Sequence, residues 1–303
     1  MSLVLPIGCA RANFRMIADA EFQKQPKMFW AYVRTLSQKL GYTRRKAKQV
    51  KIPTIPEIET GLTALGLDPT KLVKKGTDSP TDLGRVLLKY FAYRAEVLNN
   101  KVRAQLMNAK EARQLYERLL EEVHYPSPAP MNKQTGKKKK PLYFTGIINM
   151  LIADGVNGAQ CDYSPMALTT VTIEGAAVRT LSRRLDGAFP SVVNPVAVWE
   201  TKEYYYTTTF GSRIADGVYE TLVDGMELEE LRESEGIDIK HYLMIDAYET
   251  WWEMGRSYLC RMVDMLNMRY VDEILFGKEV VERIPVITKQ WTQILASRPI
   301  GKK

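Results

Sequence analysis

The chain has 303 residues, of which 45% are hydrophobic and 10% aromatic, and its formal net charge is +8. This apolar content can fill a sizeable core, which excludes a disordered chain, and no apolar run approaches the ~20 residues that span a bilayer, so we expect no membrane contact. The three cysteines and two histidines form no ligand pattern, which excludes a disulfide framework and a structural zinc site and favours a cytoplasmic protein.

Charge is unevenly divided between the two halves of the chain. Residues 1–142 contain 27 Lys and Arg against 12 Asp and Glu, whereas the remaining residues contain 16 against 23. A basic half joined to an acidic half predicts nucleic-acid contact through the first and chemistry in the second. The alternative for the basic half is a surface that only keeps the protein in solution.

Residues 1–123 are predicted to form a basic, mainly helical region. Helical spacing of apolar residues extends over Lys27 to Leu40 and Glu57 to Leu65, and a long interrupted helical region follows from Leu83 to Val123. Two short helices about a basic connection resemble a small DNA-binding module. The candidate DNA-binding residues in that connection are Arg44, Arg45, Lys46 and Lys48.

Residues 124–141 are predicted to form a linker that is rich in proline and lysine. The closely spaced prolines favour an extended connection. The lysines that follow, among them Lys138 and Lys139, can lie along a phosphate backbone and displace its counterions. A solvated loop is the alternative interpretation of this run.

Residues 142–303 are predicted to form an α/β domain. An apolar helix or strand begins it at Tyr143, and the spacing predicts a helix over Ala167 to Leu181. A strand is predicted over Val196 to Tyr206 because β-branched and aromatic residues follow Asn-Pro. The later predicted elements are helices at Ile214 to Leu222 and Glu227 to Glu235, a strand at His241 to Trp251, and helices at Trp252 to Phe276 and Val280 to Leu295.

A hairpin is predicted around the first strand of this domain. The prolines and asparagine between Pro190 and Pro195 indicate a turn, and a hairpin centred near Val193 places Asp186 opposite Glu200. Since alternate residues share a face of a strand, Lys202 points the same way as Glu200. Two carboxylates with a neighbouring ammonium suit Mg²⁺ and the hydrolysis of a phosphodiester.

Asp186 followed by Glu200-Thr201-Lys202 resembles the PD-(D/E)XK signature of type II restriction endonucleases. The resemblance covers about Ala167 to Tyr248, and Leu185 stands where the signature has a proline that members of this superfamily often lack. It implies a restriction-endonuclease-like fold, in which helices flank a mixed central sheet. It also implies hydrolysis of double-stranded DNA at a specific sequence, a Mg²⁺ cofactor for which we expect Mn²⁺ to substitute, and a homodimer.

Further candidate residues lie on either side of this signature. Glu174 is a candidate additional metal ligand, and an ordinary exposed helix glutamate is the alternative. Arg183 and Arg184 are candidates for phosphate contacts. Ser212 and Arg213, in the polar run after the strand, are candidates for contacts with sugar, phosphate or base edges of DNA.

A second acid-x-Lys triplet ends at Lys240, with Asp224 upstream, but it is set aside because the segment between Asp224 and Asp238 has helical composition and no turn. Two alternatives to a restriction enzyme remain open. A non-catalytic DNA-binding protein on the same scaffold would keep the charges as a structural network. A repair or recombination nuclease that recognises DNA structure would use the same residues as a restriction enzyme.

Overall fold

The computed structural model describes residues 15–206 and 211–298, without the side chains of Ser212 and Arg213. It is a mixed α/β structure in which helices cover both faces of a mixed sheet. None of the helices in the described ranges combines the length and the apolar character that a membrane span requires.

The first part of the chain is helical around one small hairpin. The predicted helices near residues 27–40 and 57–65 are both present, and Gly41 ends the first of them with a φ of 85° that favours glycine. The elements are α1 (Ala20–Gln23), α2 (Lys27–Leu40), β1 (Thr43–Arg44), β2 (Gln49–Val50), α3 (Ile55–Thr63) and α4 (Asp82–Glu96). A core rich in aromatic side chains, with Phe29, Tyr90 and Phe91 fully buried, holds these helices together.

The predicted interrupted helical region is also present. α4 runs into a π-helical segment (Val97–Val102) and α5 (Arg103–Gln105), and α6 (Ala109–Glu122) follows after a break. Asn108 caps α6 by accepting hydrogen bonds from two backbone N–H groups of its first turn. α6 packs against α7 (Tyr143–Gly155) and the sheet, although the sequence assigns it to the basic helical region.

The predicted helix over Ala167 to Leu181 was wrong, because this segment is a β-hairpin. Its strands are β3 (Thr170–Ile173) and β4 (Ala176–Thr180), which pair antiparallel. Threonine, valine and isoleucine favour a strand here, and the two turn residues, Glu174 and Gly175, have φ of 50° and 82°. Glu174 therefore lies at a hairpin tip and not on a helix.

The central sheet has four strands in chain order. They are β5 (Gly187–Phe189), β6 (Ala197–Glu203), β7 (Lys240–Asp246) and β8 (Glu273–Phe276). β5 and β6 form the predicted hairpin, whereas β6, β7 and β8 run parallel. The parallel connections are helical crossovers, as in other α/β sheets.

Two cores cover the two faces of the sheet. On one face, α8 (Ser212–Glu235) and α9 (Arg256–Asn267) pack over side chains such as Leu243 and Ile245. On the other, α6, α7 and α10 (Val280–Ser297) pack over Trp199 and Met244. Consecutive residues of β7 thus alternate between the two cores, which makes the strand apolar throughout.

Two predictions for the last third of the chain need correction. The two separate helices predicted after residue 213 form one continuous helix, α8. The helix predicted over Trp252 to Phe276 ends at Asn267, and the run Glu273–Phe276 forms β8. This strand is buried on both faces, so its short apolar run has no alternation that would separate it from a buried helix.

Candidate active site

The β5–β6 hairpin brings Asp186 next to Glu200. Gly187 pairs with Trp199, so the preceding residue, Asp186, lies directly across from Glu200. The Asp186 N–H donates to Trp199 O at 3.1 Å, and the Thr201 N–H donates to Asp186 Oδ2 at 2.8 Å. The hydrogen bond from Thr201 orients the Asp186 carboxylate toward the middle of β6.

Glu200 and Lys202 share one face of β6, and both are buried. Lys202 Nζ donates to Glu200 Oε2 at 3.0 Å and to Glu220 Oε2, on α8, at 3.0 Å. Burial by itself lowers the pKa of Lys202, but the Glu200 carboxylate outweighs this effect and raises the pKa above its usual value. Lys202 is therefore a buried ammonium beside a buried carboxylate.

Arg183 is a second cation against Glu200. Its Nη1 lies 2.7 Å from Glu200 Oε1 and 2.6 Å from Asp224 Oδ2, and its Nη2 lies 3.5 Å from Glu220 Oε2. The structure thus places Arg183 among carboxylates. Asp186, Glu200, Glu220 and Asp224 are called the acidic cluster below.

Sequence reasoning missed two members of this cluster. Asp224 was set aside as the partner of a second triplet, and Glu220 was not considered. The two residues are four apart on α8, a spacing that puts them on one helix face. That spacing was the only sequence feature that could have indicated them, because their contact with β6 depends on how α8 packs on the sheet.

The members of the acidic cluster differ in how readily they lose a proton. Part of the Asp186 side chain reaches the surface, but protein atoms pack densely around it. The resulting loss of hydration raises the pKa of Asp186 to about 7, and the neighbouring Glu200 charge adds to the shift. Burial raises the pKa of Asp224 to about 7 even though Arg183 opposes the shift. Burial would also raise the pKa of Glu200, but Lys202 and Arg183 outweigh it and hold that pKa below its usual value.

The donor set suits a hard divalent cation. Asp186 and Glu200 supply adjacent carboxylate oxygens, and Asp224 Oδ1 is buried without a hydrogen-bond partner in the described part of the chain. Mg²⁺ is bound in proteins by a few such oxygens together with water. Within residues 15–206 and 211–298, however, no three His, Cys, Asp or Glu side chains form a ready-made metal-binding group. Coordination by Glu200 therefore requires Arg183 or Lys202 to release one of its oxygens.

A cavity of about 800 Å³ opens beside Asp186, Thr201 and Glu203. Glu203 accepts hydrogen bonds from the Thr145 N–H at 2.9 Å and hydroxyl at 3.0 Å, in the first turn of α7. Because these bonds hold the helix end to β6, Glu203 has a structural role in the wall of the cavity.

Another part of the lining of this cavity comes from the predicted linker. Residues 131–141 form a loop, called the lysine loop below, whose ends are bridged by pairing of Met131 with Pro141. Asn132 fixes the loop, since its N–H donates to Lys140 O at 2.9 Å and its Nδ2 to Lys138 O at 3.1 Å. The cavity-lining lysines are Lys133, Lys137, Lys138 and Lys140. Lys139, the other predicted DNA contact in this loop, is not among them.

The remaining predicted residues lie apart from one another. Glu174 lies at its hairpin tip and makes no hydrogen bond or ion pair with the acidic cluster among the described residues, and its role as a metal ligand stays a prediction. Arg184 is exposed and its Nη1 lies 3.5 Å from Met166 Sδ.

The predicted DNA contacts of the N-terminal part lie on the basic β1–β2 hairpin. They are Arg44, Arg45, Lys46 and Lys48, of which Lys48 pairs with Glu253 at 2.7 Å. Ser212 and Arg213 begin α8, but their side chains lie outside the described part.

Family models match most of the described chain. The model of a domain of unknown function, DUF7687, matches residues 107–291, which is more than half of the chain. The chain belongs to this family. A second model, of the domain of unknown function DUF7690, matches residues 16–101. No curated protein and no solved structure matches the chain.

The two matches divide the predicted site residues between them. The DUF7687 match contains the acidic cluster, Arg183, Lys202 and the lysine loop. The DUF7690 match contains the basic β1–β2 hairpin. The candidate chemistry and the cavity beside it are thus features of the DUF7687 part of the chain.

Proposed function

We propose that the protein is a Mg²⁺-dependent endonuclease that hydrolyses phosphodiester bonds in DNA. The observation that carries this proposal is the pairing of Asp186 with Glu200 across a hairpin, with Lys202 buried against Glu200. A mixed sheet flanked by helices supports it, because the PD-(D/E)XK resemblance implies that architecture. The finer proposal is a type II restriction endonuclease that cuts a symmetric site as a homodimer, with Mn²⁺ as a substitute metal.

Asp186 and Glu200 are the residues that would hold Mg²⁺. Arg183 pairs with both Glu200 and Asp224, so these two carboxylates share its positive charge. The bound metal would supply charge stabilisation at the scissile phosphate and acidify a water. Lys202 would neutralise a phosphate oxygen or orient the attacking water from its position beside Glu200. Arg183 would pair with the carboxylates that do not bind the metal.

A DNA-binding protein without hydrolytic activity is the second candidate. It is favoured by the ion pairs of Glu200, whose two oxygens face Arg183 and Lys202 at 2.7 and 3.0 Å. In that case the acidic cluster would be a structural network on the nuclease scaffold. The two candidates differ in whether the bound DNA is cut.

The deciding experiment incubates the purified protein with unmethylated phage DNA in Mg²⁺, Mn²⁺ or EDTA. The variants are Asp186→Asn, Glu200→Gln and Lys202→Gln, with Lys240→Gln as the matched control. Lys240 also follows an acid-x pattern, but it pairs with Asp238 and Asp272 at the start of β7. Unfolding curves of each variant separate loss of activity from loss of the fold.

Metal-dependent cutting that falls at least about 100-fold in the three site variants and persists in Lys240→Gln would support the nuclease. Discrete fragments would support the restriction class, whereas cutting only at branched or gapped DNA would support a repair or recombination nuclease. DNA binding without cutting in any of these metals would overturn the nuclease in favour of the binding protein.

A further inference from the structure

The residues that line the cavity beside Asp186 fall into two chemically different groups, called the basic wall and the aromatic wall below. The basic wall consists of the four lysines of the lysine loop named above. The aromatic wall consists of Tyr163, Trp199, Tyr204, Tyr205 and Tyr206. Asp186 also lines the cavity, so whatever fills the cavity comes within reach of the candidate site.

The lysines of the basic wall are available to bind an anion. None of its four lysines has an ion-pair partner in the described part of the chain, although many other lysines and arginines do. Four ammonium groups on one short loop repel each other, and the hydrogen bonds of Asn132 prevent the loop from opening to separate them. Binding of several phosphates would relieve this repulsion and release counterions.

The aromatic wall offers faces for stacking. Tyr206 is 42% exposed, and Tyr163 is half-buried with its ring packed edge-on against Trp199. The Tyr205 hydroxyl donates to Asp246, which fixes the position of that ring. Basic grooves lined by aromatic rings are typical of proteins that bind single-stranded nucleic acid, because every base has a face that can stack.

The size of the cavity favours an unpaired strand over a duplex. About 800 Å³ is within the range of pockets that enclose drug-sized ligands, so one or two nucleotides can enter. A base pair keeps its bases stacked inside the duplex, where they cannot reach Tyr163 or Tyr206. Enzymes that act on one base of a duplex first take its nucleotide out of the base stack.

We infer that this cavity binds an unpaired segment of a nucleic acid strand, with its phosphates on the lysine loop and its bases against Tyr163 and Tyr206. The inference rests on the proposed nuclease and narrows its substrate, because the strand would be unpaired where its backbone passes Asp186. A branched, gapped or locally opened DNA meets this requirement and an intact duplex does not, so the inference favours the repair or recombination nuclease over the restriction endonuclease.

The test measures binding in EDTA, where no cutting occurs. Fluorescence anisotropy compares a labelled single-stranded oligonucleotide with a duplex of the same sequence over a series of salt concentrations. The loop variant replaces Lys133, Lys137, Lys138 and Lys140 by alanine. The control variant removes the same charge from four exposed lysines of the N-terminal part, Lys71, Lys74, Lys75 and Lys101.

We expect the single strand to bind at least 10-fold more tightly than the duplex, and the affinity of the loop variant for the single strand to be at least 10-fold weaker. The slope of log K against log salt should fall by about 0.7 for each phosphate that the protein no longer neutralises, hence by about 3 in the loop variant. The affinity of the control variant should weaken by less than 3-fold. Tyr206→Ala should weaken binding about 5- to 100-fold while Tyr206→Phe retains it, because stacking needs the ring.

Failure of this inference and failure of the nuclease are separable. Equal or tighter binding of the duplex, or equally weakened binding in the loop and control variants, would overturn the cavity assignment even if the protein cuts DNA. Single-strand binding that depends on the loop, without metal-dependent cutting of any substrate, would overturn the nuclease and with it the claim that the bound strand is cut.

Discussion

Arg183 Nη1 lies 2.7 Å from Glu200 Oε1, so one of the two Glu200 oxygens is already paired with a cation of the protein. The same nitrogen lies 2.6 Å from Asp224 Oδ2. Both carboxylates are buried, so dissolved salt screens these ion pairs only weakly. Arg183 thus stabilises the acidic cluster electrostatically and competes with any metal for Glu200.

Replacement of Arg183 by glutamine should destabilise the protein and make it more responsive to Mg²⁺. Removing one partner of a buried ion pair costs about 3–5 kcal/mol, and since a quarter of the Arg183 side chain is exposed we expect about 1–3 kcal/mol. Millimolar Mg²⁺ should restore more stability to Arg183→Gln than to the wild type, because the metal replaces the missing positive charge. Urea unfolding with and without Mg²⁺ measures both effects.

Arg184→Gln is the matched control for this prediction. Arg184 is the next residue, is exposed and makes no ion pair in the described part, so its replacement should change the free energy of unfolding by less than about 0.5 kcal/mol. An equal Mg²⁺ response in Arg183→Gln and the wild type would mean that Arg183 and a metal do not compete.

The parts of the site that depend on local sequence could be predicted. The turn between Pro190 and Pro195 and the β-branched strand after it determine the hairpin, and the hairpin determines that Asp186 faces Glu200. Glu220 and Asp224 could not be predicted, because their position depends on how α8 packs against β6. Such packing leaves no periodicity in the sequence beyond that of the helix.

In the rest of the fold, too, local sequence patterns could be interpreted and the effects of packing could not. The helices with clear apolar spacing were predicted to within a few residues, whereas β8 was missed because a short strand that is buried on both faces resembles a buried helix. The lysine loop was predicted to contact phosphate from its composition. Its place in the lining of the cavity that Asp186 also lines depends on Asn132, whose hydrogen bonds fold the loop back on itself.

Asp264→Asn should weaken the packing of the N-terminal helices against α9. Arg94 Nη1 lies 2.9 and 3.0 Å from the two Asp264 oxygens, the Tyr90 hydroxyl also donates to Asp264, and both charged groups are buried. The substitution leaves the Arg94 guanidinium buried without a countercharge, so we expect the free energy of unfolding to fall by about 3–5 kcal/mol. Urea unfolding monitored by intrinsic fluorescence measures it.

Asp82→Asn is the control for the buried pair. Asp82 pairs with Arg85 on the surface of α4, where an ion pair contributes about 0–1 kcal/mol. A double variant, Arg94→Met with Asp264→Leu, should recover much of the stability, because it leaves no unpaired buried charge. Similar destabilisation by Asp264→Asn and Asp82→Asn would show that the Arg94 pair does not join the two parts of the chain.

Gly187→Ala should disturb the hairpin that positions Asp186. A Cβ added at Gly187 would lie 2.0 Å from the Trp199 ring, which is buried and stacked on Trp291, so β5 would have to shift. Overpacking of this kind costs about 1–3 kcal/mol, and the proposed nuclease activity should fall further than stability alone explains. Gly175→Ala, at an open hairpin tip with a φ of 82°, should cost only about 1 kcal/mol and keep the activity. Equal activity in the two variants would contradict the positioning role of β5.

The contribution of Asp246 to the free energy of unfolding should fall as the pH rises. Its side chain is fully buried at the end of β7, where it accepts hydrogen bonds from the N–H groups of Met107 at 2.7 Å and Ala247 at 2.9 Å. Burial outweighs these bonds and raises the pKa of Asp246 to about 8. In the unfolded chain the pKa of aspartate is about 3.9, so between about pH 4 and pH 8 the native state binds one more proton than the unfolded state.

The sign of this effect can be read from Asp246→Asn, whose amide stays neutral at every pH. The contribution of Asp246 to stability falls as the pH rises through this window and is constant above it, whereas the contribution of asparagine does not change. Between pH 5.5 and pH 8.5, the free energy of unfolding of Asp246→Asn should therefore rise relative to the wild type by about 1–3 kcal/mol. Urea unfolding of both proteins at the two pH values measures this difference. A constant difference would mean that Asp246 is ionised throughout this range and that the hydrogen bonds from Tyr205, Met107 and Ala247 outweigh its burial.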